Sequence, residues 1–283
     1  MDQRNIQSLE IYVPDGIPED AALQRTTCLG IGAHQDDVEI MAVDGILQAY
    51  KNPDHWFTGL VLTSGKDSPR GGAFSDISPN EMQETRNREQ KEAARIGRYS
   101  AQILMNFSSA EVKDPQQSAV VEQLARLIQK CRPKAIYTHN LFDKHATHVA
   151  VTLRVIAALR AIPVSDRPNK LYGCEVWRSL DWMRDEDKQR FDTSQYEDLQ
   201  SSLLRVFASQ IASGKQYDLA VMGRRKANAC FDLAHELDRF SGAALAMDLT
   251  PLILDPSLDI ASFVQAEIEK FSQDVQSLLS NLS

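Results

Sequence analysis

TTCLGIGAHQDDVEI, residues 26–40, decides the fold. Its apolar first part, Thr26 to Ala33, predicts a short strand, and the polar cluster that follows, His34-Gln35-Asp36-Asp37-Val38-Glu39, lies where that strand ends and a helix begins. The same alternation recurs downstream. Trp56 to Ser64 (WFTGLVLTS) predicts a second strand, Ile103 to Phe107 and Ala135 to Thr138 a third and fourth, and Leu171 to Trp177 (LYGCEVW) a fifth, with helices over 80–97 and 116–131 between them. Strands alternating with longer amphipathic stretches imply an α/β, Rossmann-like, mostly parallel sheet with helices on both faces.

After about residue 185 the pattern becomes mainly helical, over Tyr196 to Ile211, Tyr217 to Phe240 and Ser262 to Leu282, with one apolar piece, ALAMDLTPLIL, between the last two. These segments read as a C-terminal extension (about 185–283) packed on an α/β core (about 20–180). Without an internal repeat or a Pro- or Ser-rich linker, residues 1–283 read as one domain. The stretch Gly65 to Pro79 (GKDSPRGGAFSDISP) is a long surface loop by composition.

The chain has 283 residues, 43% hydrophobic and 25% charged, an ordinary globular composition. Lys and Arg number 31 against 39 Asp and Glu, a net charge of −8, and no dense basic run exists to neutralise a row of phosphates. Nucleic acid is therefore not an expected partner. The start, MDQRNIQSLEIYVPDG, lacks the basic and apolar character of a secretory leader, and no apolar run is long enough to span a bilayer, so a soluble, cytoplasmic protein is expected. Cys28, Cys131, Cys174 and Cys230 are far apart, with no C-x-x-C pair, which argues against a disulfide framework or a thiolate zinc site.

Chemistry concentrates in two places. In the first, adjacent carboxylates beside an imidazole raise one another's pKa unless a cation joins them; the blander reading is that Asp36 or Asp37 caps the helix. The second is Thr138-His139-Asn140-Leu141-Phe142-Asp143-Lys144-His145-Ala146-Thr147-His148, which holds three of the six histidines, His145 and His148 being spaced to share a helical face. Alone it would be a polar loop at a helix start. Both clusters, however, follow the carboxyl ends of predicted strands, where open α/β sheets bind ligands. Two imidazoles and one carboxylate make a catalytic zinc set that leaves a position for water, and a spare acid and a spare imidazole remain for proton transfer and oxyanion support.

AHQDDVE together with THNLFDKHATH resembles the PIG-L/LmbE-type zinc-dependent N-deacetylases, which share A-H-P-D-D-x-E and a later H-x-x-x-D-x-H-P-D-H; the likeness of strand and helix order extends to about residue 180. The resemblance implies His34, Asp37 and His148 as metal ligands, Asp36 as general base, and His145 as the imidazole that steadies the tetrahedral intermediate. It implies Zn2+, with Fe2+ compatible with the same N/O donors. It also implies removal of an N-acyl group, such as acetyl, from an amino sugar or related amine, and relatives often form homo-oligomers. Gln35 replaces the usual Pro, a change in turn shape. Ala146-Thr147 replaces Pro-Asp, which removes a negative charge beside His145, lowers its expected pKa or shifts its dependence to Asp143.

Arg86 and Arg70 are candidate substrate contacts, although Arg86-x-x-Glu89 also fits a simple helical ion pair; Gly71 and Gly72 could form a rim with Arg70. Asp143 and His139 are candidates to support the ligands from behind. His55 reads as a turn residue, His235 lacks the partner of H-E-x-x-H, and Trp177 and Trp182 read as core more readily than as sugar-stacking rings. Two rival functions remain. One is a non-catalytic metal- and sugar-binding protein of the same fold. The other is a nucleotide-dependent enzyme using Ser64-Gly65-Lys66-Asp67-Ser68, a partial match to a phosphate loop that follows the second strand instead of the first.

Overall fold

The computed structural model describes residues 9–212 and 214–283. Residues 1–8, half of the stretch that argues against a leader, lie outside the described residues. In chain order the elements begin β1 (Glu10–Tyr12), α1 (Glu19–Gln24), β2 (Cys28–Gly32), α2 (Asp37–Met41), α3 (Val43–Ala49) and β3 (Phe57–Thr63). They continue with α4 (Pro79–Gly97), β4 (Ala101–Phe107), α5 (Ser109–Lys113), α6 (Ser118–Cys131), β5 (Ala135–His139), α7 (Ala146–Ala161) and β6 (Lys170–Cys174). The last third comprises β7 (Lys188–Asp192), α8 (Glu197–Arg205), α9 (Ala208–Ile211), α10 (Tyr217–Cys230), β8 (Ala243–Asp248), α11 (Pro251–Leu254) and α12 (Ile260–Leu282).

One sheet runs through the molecule in the order β1-β4-β3-β2-β5-β6-β8-β7. Its five central strands are mutually parallel, while β1, β8 and β7 pair antiparallel with their neighbours. Such a parallel centre must be covered on both faces. One layer uses Leu29, Ile31, Leu60, Ile103, Val151 and Val155, and the opposite layer Val38, Ile46, Phe57, Val61, Leu203 and Phe207. The chain leaves β2 toward β3 and β4 on one side, then returns to build β5 and β6 on the other. The order therefore reverses between β2 and β5, which are hydrogen-bonded neighbours. A crevice opens beyond the carboxyl ends of strands at such a reversal.

The five predicted strands are present, each within a few residues of its expected bounds. The extension departs more. It is not simply helical: β7 and β8 extend the sheet, and ALAMDLTPLIL divides into β8 and the short α11. The expected helix from Tyr196 to Ile211 breaks into α8 and α9, because Glu89 of α4 accepts hydrogen bonds from Ser209 N and Oγ and caps a new turn there. The expected helix from Tyr217 stops at Cys230, well short of Phe240; beyond it Asp232 pairs with Arg190 on β7. Strand β1 was not signalled. No helix among the described residues is long and apolar enough to cross a membrane.

Candidate metal centre

His34 lies in the turn after β2, and Asp37 is the first residue of α2. His148 stands in the first turn of α7, across the β2–β5 reversal. The capping alternative for the acidic pair fails: Asp36 occupies the N-cap of α2 but makes no side-chain cap hydrogen bond. Asp37 Oδ2 instead accepts from His34 N at 2.7 Å, which turns the carboxylate back toward the strand end.

Asp37 Oδ2 is 3.2 Å from His34 Nδ1 and 3.3 Å from His148 Nε2, and those two ring nitrogens are 3.3 Å apart. A tetrahedral zinc ion about 2.0–2.1 Å from each ligand holds neighbouring ligand atoms about 3.3–3.4 Å apart. The three atoms thus already form one face of a tetrahedron of the right size, and two imidazoles with one carboxylate are the donors such an ion takes.

The surroundings favour positive charge at this point. Burial raises the pKa of Asp37, but His148, His139 and His34 outweigh it and hold the carboxyl well below its usual range. Burial works against a proton on His148, yet Asp37 and Asp143 raise its pKa overall. Carboxylates that attract a proton to His148 equally attract a cation to its other nitrogen. Asp143 Oδ2 lies 3.4 Å from His148 Nδ1, and Asp143 is itself fixed by His145 N and Trp177 N at 2.9 and 3.0 Å. A carboxylate behind a ligating imidazole orients the ring and increases its basicity.

His139 is fully buried and stacks on His148, ring centroids 3.9 Å apart. Its Nε2 accepts from Ala33 N at 2.9 Å, so the ring carries its proton on Nδ1 and braces the strand end that bears His34. A second group, His139, Asp143 and His148, also draws three donor atoms together, but all three residues are buried, and His139 Nε2 already has a backbone donor.

Asp36 stays outside this triad. Burial pushes its carboxyl up to about 7, although Arg86 opposes the shift. Its Oδ2 is 3.5 Å from Arg86 Nη2. Arg86 also donates to Gln35 O and Ser68 Oγ and is 2% exposed, so the structure uses it to fix the turn around Asp36. Gly65 touches this arrangement closely: its φ is +70°, and a Cβ there would lie 2.4 Å from Gln35 Oε1 and 2.9 Å from Arg86 Cδ. Only glycine combines that conformation with that approach.

His145 caps α7 through Nδ1, which accepts from Thr147 N at 3.3 Å. Its neutral ring therefore keeps a proton on Nε2, and burial, reinforced by His148 and His34, lowers its pKa. Asp143 does not replace the missing acid at 147: its carboxylate meets His148, and only the backbone N–H of His145.

Asp36, Asp37, His34, His145, His148 and Arg86 line a cavity of ≈480 Å³. Its rim includes Lys66, Lys113, Trp177, Gln210, Lys215 and Tyr217. Arg70 is exposed, donates to Lys66 O and is not part of the lining. Lys215, Gln210 and Tyr217 come from the extension, far along the chain from either motif, and carried no sequence signal. Trp177, read as core, is half-buried and lines the cavity, whereas Trp182 packs on Phe142 and Phe271. Ser64 to Ser68 forms part of the wall and runs into a loop; α4 starts only at Pro79, so no helix N-terminus follows directly to receive a phosphate.

Fold and donor set together describe an α/β protein with a His/Asp/His cluster that could hold one metal ion at the sheet's topological reversal. Residues 29–159 match the family described as PIG-L: GlcNAc-PI de-N-acetylase, which spans most of the α/β core of this chain. Similar solved structures include GalB, the 4-carboxy-2-hydroxymuconate hydratase of Pseudomonas putida, with 16% identity, TM-score 0.61, and coverage of 79% of this chain and 96% of that one. The conserved protein TT1542 of Thermus thermophilus has 18% identity and TM-score 0.61 over 83% of this chain and 99% of that one. The N,N'-diacetylchitobiose deacetylase of Pyrococcus horikoshii has 15% identity and TM-score 0.58 over 82% and 88%. At such identities the likeness is one of fold. No curated protein sequence matches the chain.

Proposed function

We propose that this chain is a divalent-metal-dependent, most simply zinc-dependent, hydrolase that removes an N-acyl group, such as acetyl, from an amino sugar or a related amine. The carrying observation is that His34 Nδ1, Asp37 Oδ2 and His148 Nε2 stand 3.2–3.3 Å from one another while Asp36, its carboxyl pushed up to about 7, stands outside that triad in the same cavity. A cation held by those three atoms would polarise an amide carbonyl and acidify water.

The chain's own groups supply the remaining steps. Asp36 takes a proton from the attacking water, for which a pKa of about 7 suits operation near neutral pH. Arg86 holds the turn that presents Asp36. His145 donates its Nε2–H to the oxyanion that develops at the former carbonyl. Asp36 then delivers its proton to the departing nitrogen, leaving a free amine and a carboxylate. The ≈480 Å³ cavity is of the size used for small molecules.

Fold alone does not select this reaction, because a hydratase shares it. The family of the matched core, whose description names a de-N-acetylase, favours amide hydrolysis. The test is elemental analysis of the purified protein coupled to an amine-release screen over N-acyl amino sugars. One zinc or iron per chain with amine release is expected. Metal with tight sugar binding but no turnover over hours would favour the non-catalytic reading, and absence of stoichiometric metal would overturn the proposal.

A further inference from the structure

Beside the cavity at the metal centre lies a second one of ≈530 Å³. The two share Ile40, Val176, Trp177, Lys215 and Tyr217, so they are lobes of one cleft, divided by the Trp177 and Tyr217 rings, which meet edge to face at 5.9 Å. The lobes differ in chemistry. The first holds the acids and imidazoles; the second adds Leu219, Ala220 and Val221 from α10, with Leu219 57% exposed to its open space.

Charge in the second lobe has one sign. Among the described residues its lining contains Lys215 and Arg224 and no Asp or Glu, in a protein of net charge −8. Lys215 Nζ sits 4.8 Å from the centroid of the Trp177 ring. Arg224 is braced by donating Nη1 to Val176 O at 2.5 Å, and neither cation is paired with a carboxylate among the described residues. An apolar trough joined to a reaction centre and edged by unneutralised cations suits an extended apolar group that ends in an anion.

We propose that this lobe is a specificity subsite for an apolar, anion-bearing arm of the substrate, with the arm's hydrocarbon or aromatic body against Trp177, Tyr217 and Leu219 and its anionic end at Lys215 and Arg224. The proposal rests on the cleft being the substrate site of the hydrolase described above, and it narrows the substrate class to amphiphilic N-acyl amines instead of simple amino sugars.

Binding tests it without reference to turnover. Isothermal titration of the full-length protein as purified is done with 1-octanesulfonate, methanesulfonate and octyltrimethylammonium; sulfonates are weak metal ligands, so the metal centre contributes little. Octanesulfonate is expected to bind one per chain and at least about tenfold more tightly than either other probe, a ratio that burying only a few of its methylenes supplies. Leu219→Glu, at an exposed position where folding is not at stake, and Arg224→Gln should each weaken octanesulfonate by about tenfold or more, with unchanged circular dichroism. Equal binding of octanesulfonate and octyltrimethylammonium, binding indifferent to both variants, or no binding of octanesulfonate would overturn the subsite. Each result is read separately from amine release, so a chain that binds octanesulfonate as described but hydrolyses no amide refutes the hydrolase and leaves the subsite standing.

Discussion

Replacing Asp36 by Asn separates the proton-transfer role from the metal site. The backbone at Asp36 has a φ of +100°, a region that Asn and Asp tolerate far better than other side chains, so Asn keeps the turn where Ala would strain it. The ligand atoms on His34, Asp37 and His148 are untouched, and Arg86 keeps its bonds to Gln35 O and Ser68 Oγ. Little stability is at stake, because burial outweighs the attraction of Arg86 and the fold does not favour the ionised form of Asp36. The amide, however, cannot accept the proton of the attacking water. Loss of a positioned general base costs about 10²- to 10⁴-fold in kcat, or about 2.7–5.4 kcal/mol of barrier. The assay is amine release at saturating N-acyl amino sugar, alongside metal content by mass spectrometry. Parent-like metal with at least a hundredfold loss of kcat is expected. Activity within tenfold of the parent, or loss of the metal, would refute the division of labour between Asp36 and Asp37.

Four further substitutions probe the cluster and its surroundings. Asp37→Ala and His148→Ala each remove one of three donors, and both should purify with much less than one equivalent of metal while melting cooperatively. Thr147→Asp places an acid beside His145, whose pKa burial, His148 and His34 now lower; the His145 imidazole titration followed by NMR should move up by about one unit, and an unshifted titration would show that a charge at 147 does not reach the ring. Glu39 has no partner for Oε2, and burial raises its carboxyl to about 8 despite hydrogen bonds from Tyr99 and Gln90. A carboxyl that binds its proton more tightly in the fold contributes stability at pH values below about 4.5, and that contribution is lost as pH climbs toward about 8. Glu39→Gln should therefore melt like the parent near pH 4.5 and become progressively more stable than it up to pH 8, by as much as a few kcal/mol; a constant difference across that range would contradict the assignment.

The centre of the sheet was legible because β2, β3 and β4 are runs buried along nearly their whole length, and such runs stand out from composition alone. The edges were not. β1 is three residues long, and β7 reads Lys-Gln-Arg-Phe-Asp, the charged and short character that protects an edge from unwanted pairing and hides it from any apolar pattern. The break between α8 and α9 escaped notice for another reason. No local residue dictates it; the Glu89 carboxylate, 120 positions away, supplies the cap for Ser209.

A similar division runs through the site. The two motifs announced that His34, Asp37 and His148 meet, because strand ends at a topological reversal converge and β2 and β5 are neighbours. Pairings at the next layer depend on side-chain direction, which spacing does not specify. Asp143, two residues before His145, faces His148 instead, and Arg86 turns inward to Gln35 O. The wall contributed by Lys215 and Tyr217 is harder still to foresee, since it depends on how α10 packs over α2 and not on its own sequence. Arg225 shows the mechanism: fully buried on α10, it donates to Glu39 O and Ile40 O, the carbonyls at the end of the short helix that begins with Asp37. The element that shapes the far side of the cleft is thus bolted to the element that carries Asp37. Changes in the extension are therefore coupled, through one guanidinium, to the geometry of the His34–Asp37–His148 cluster.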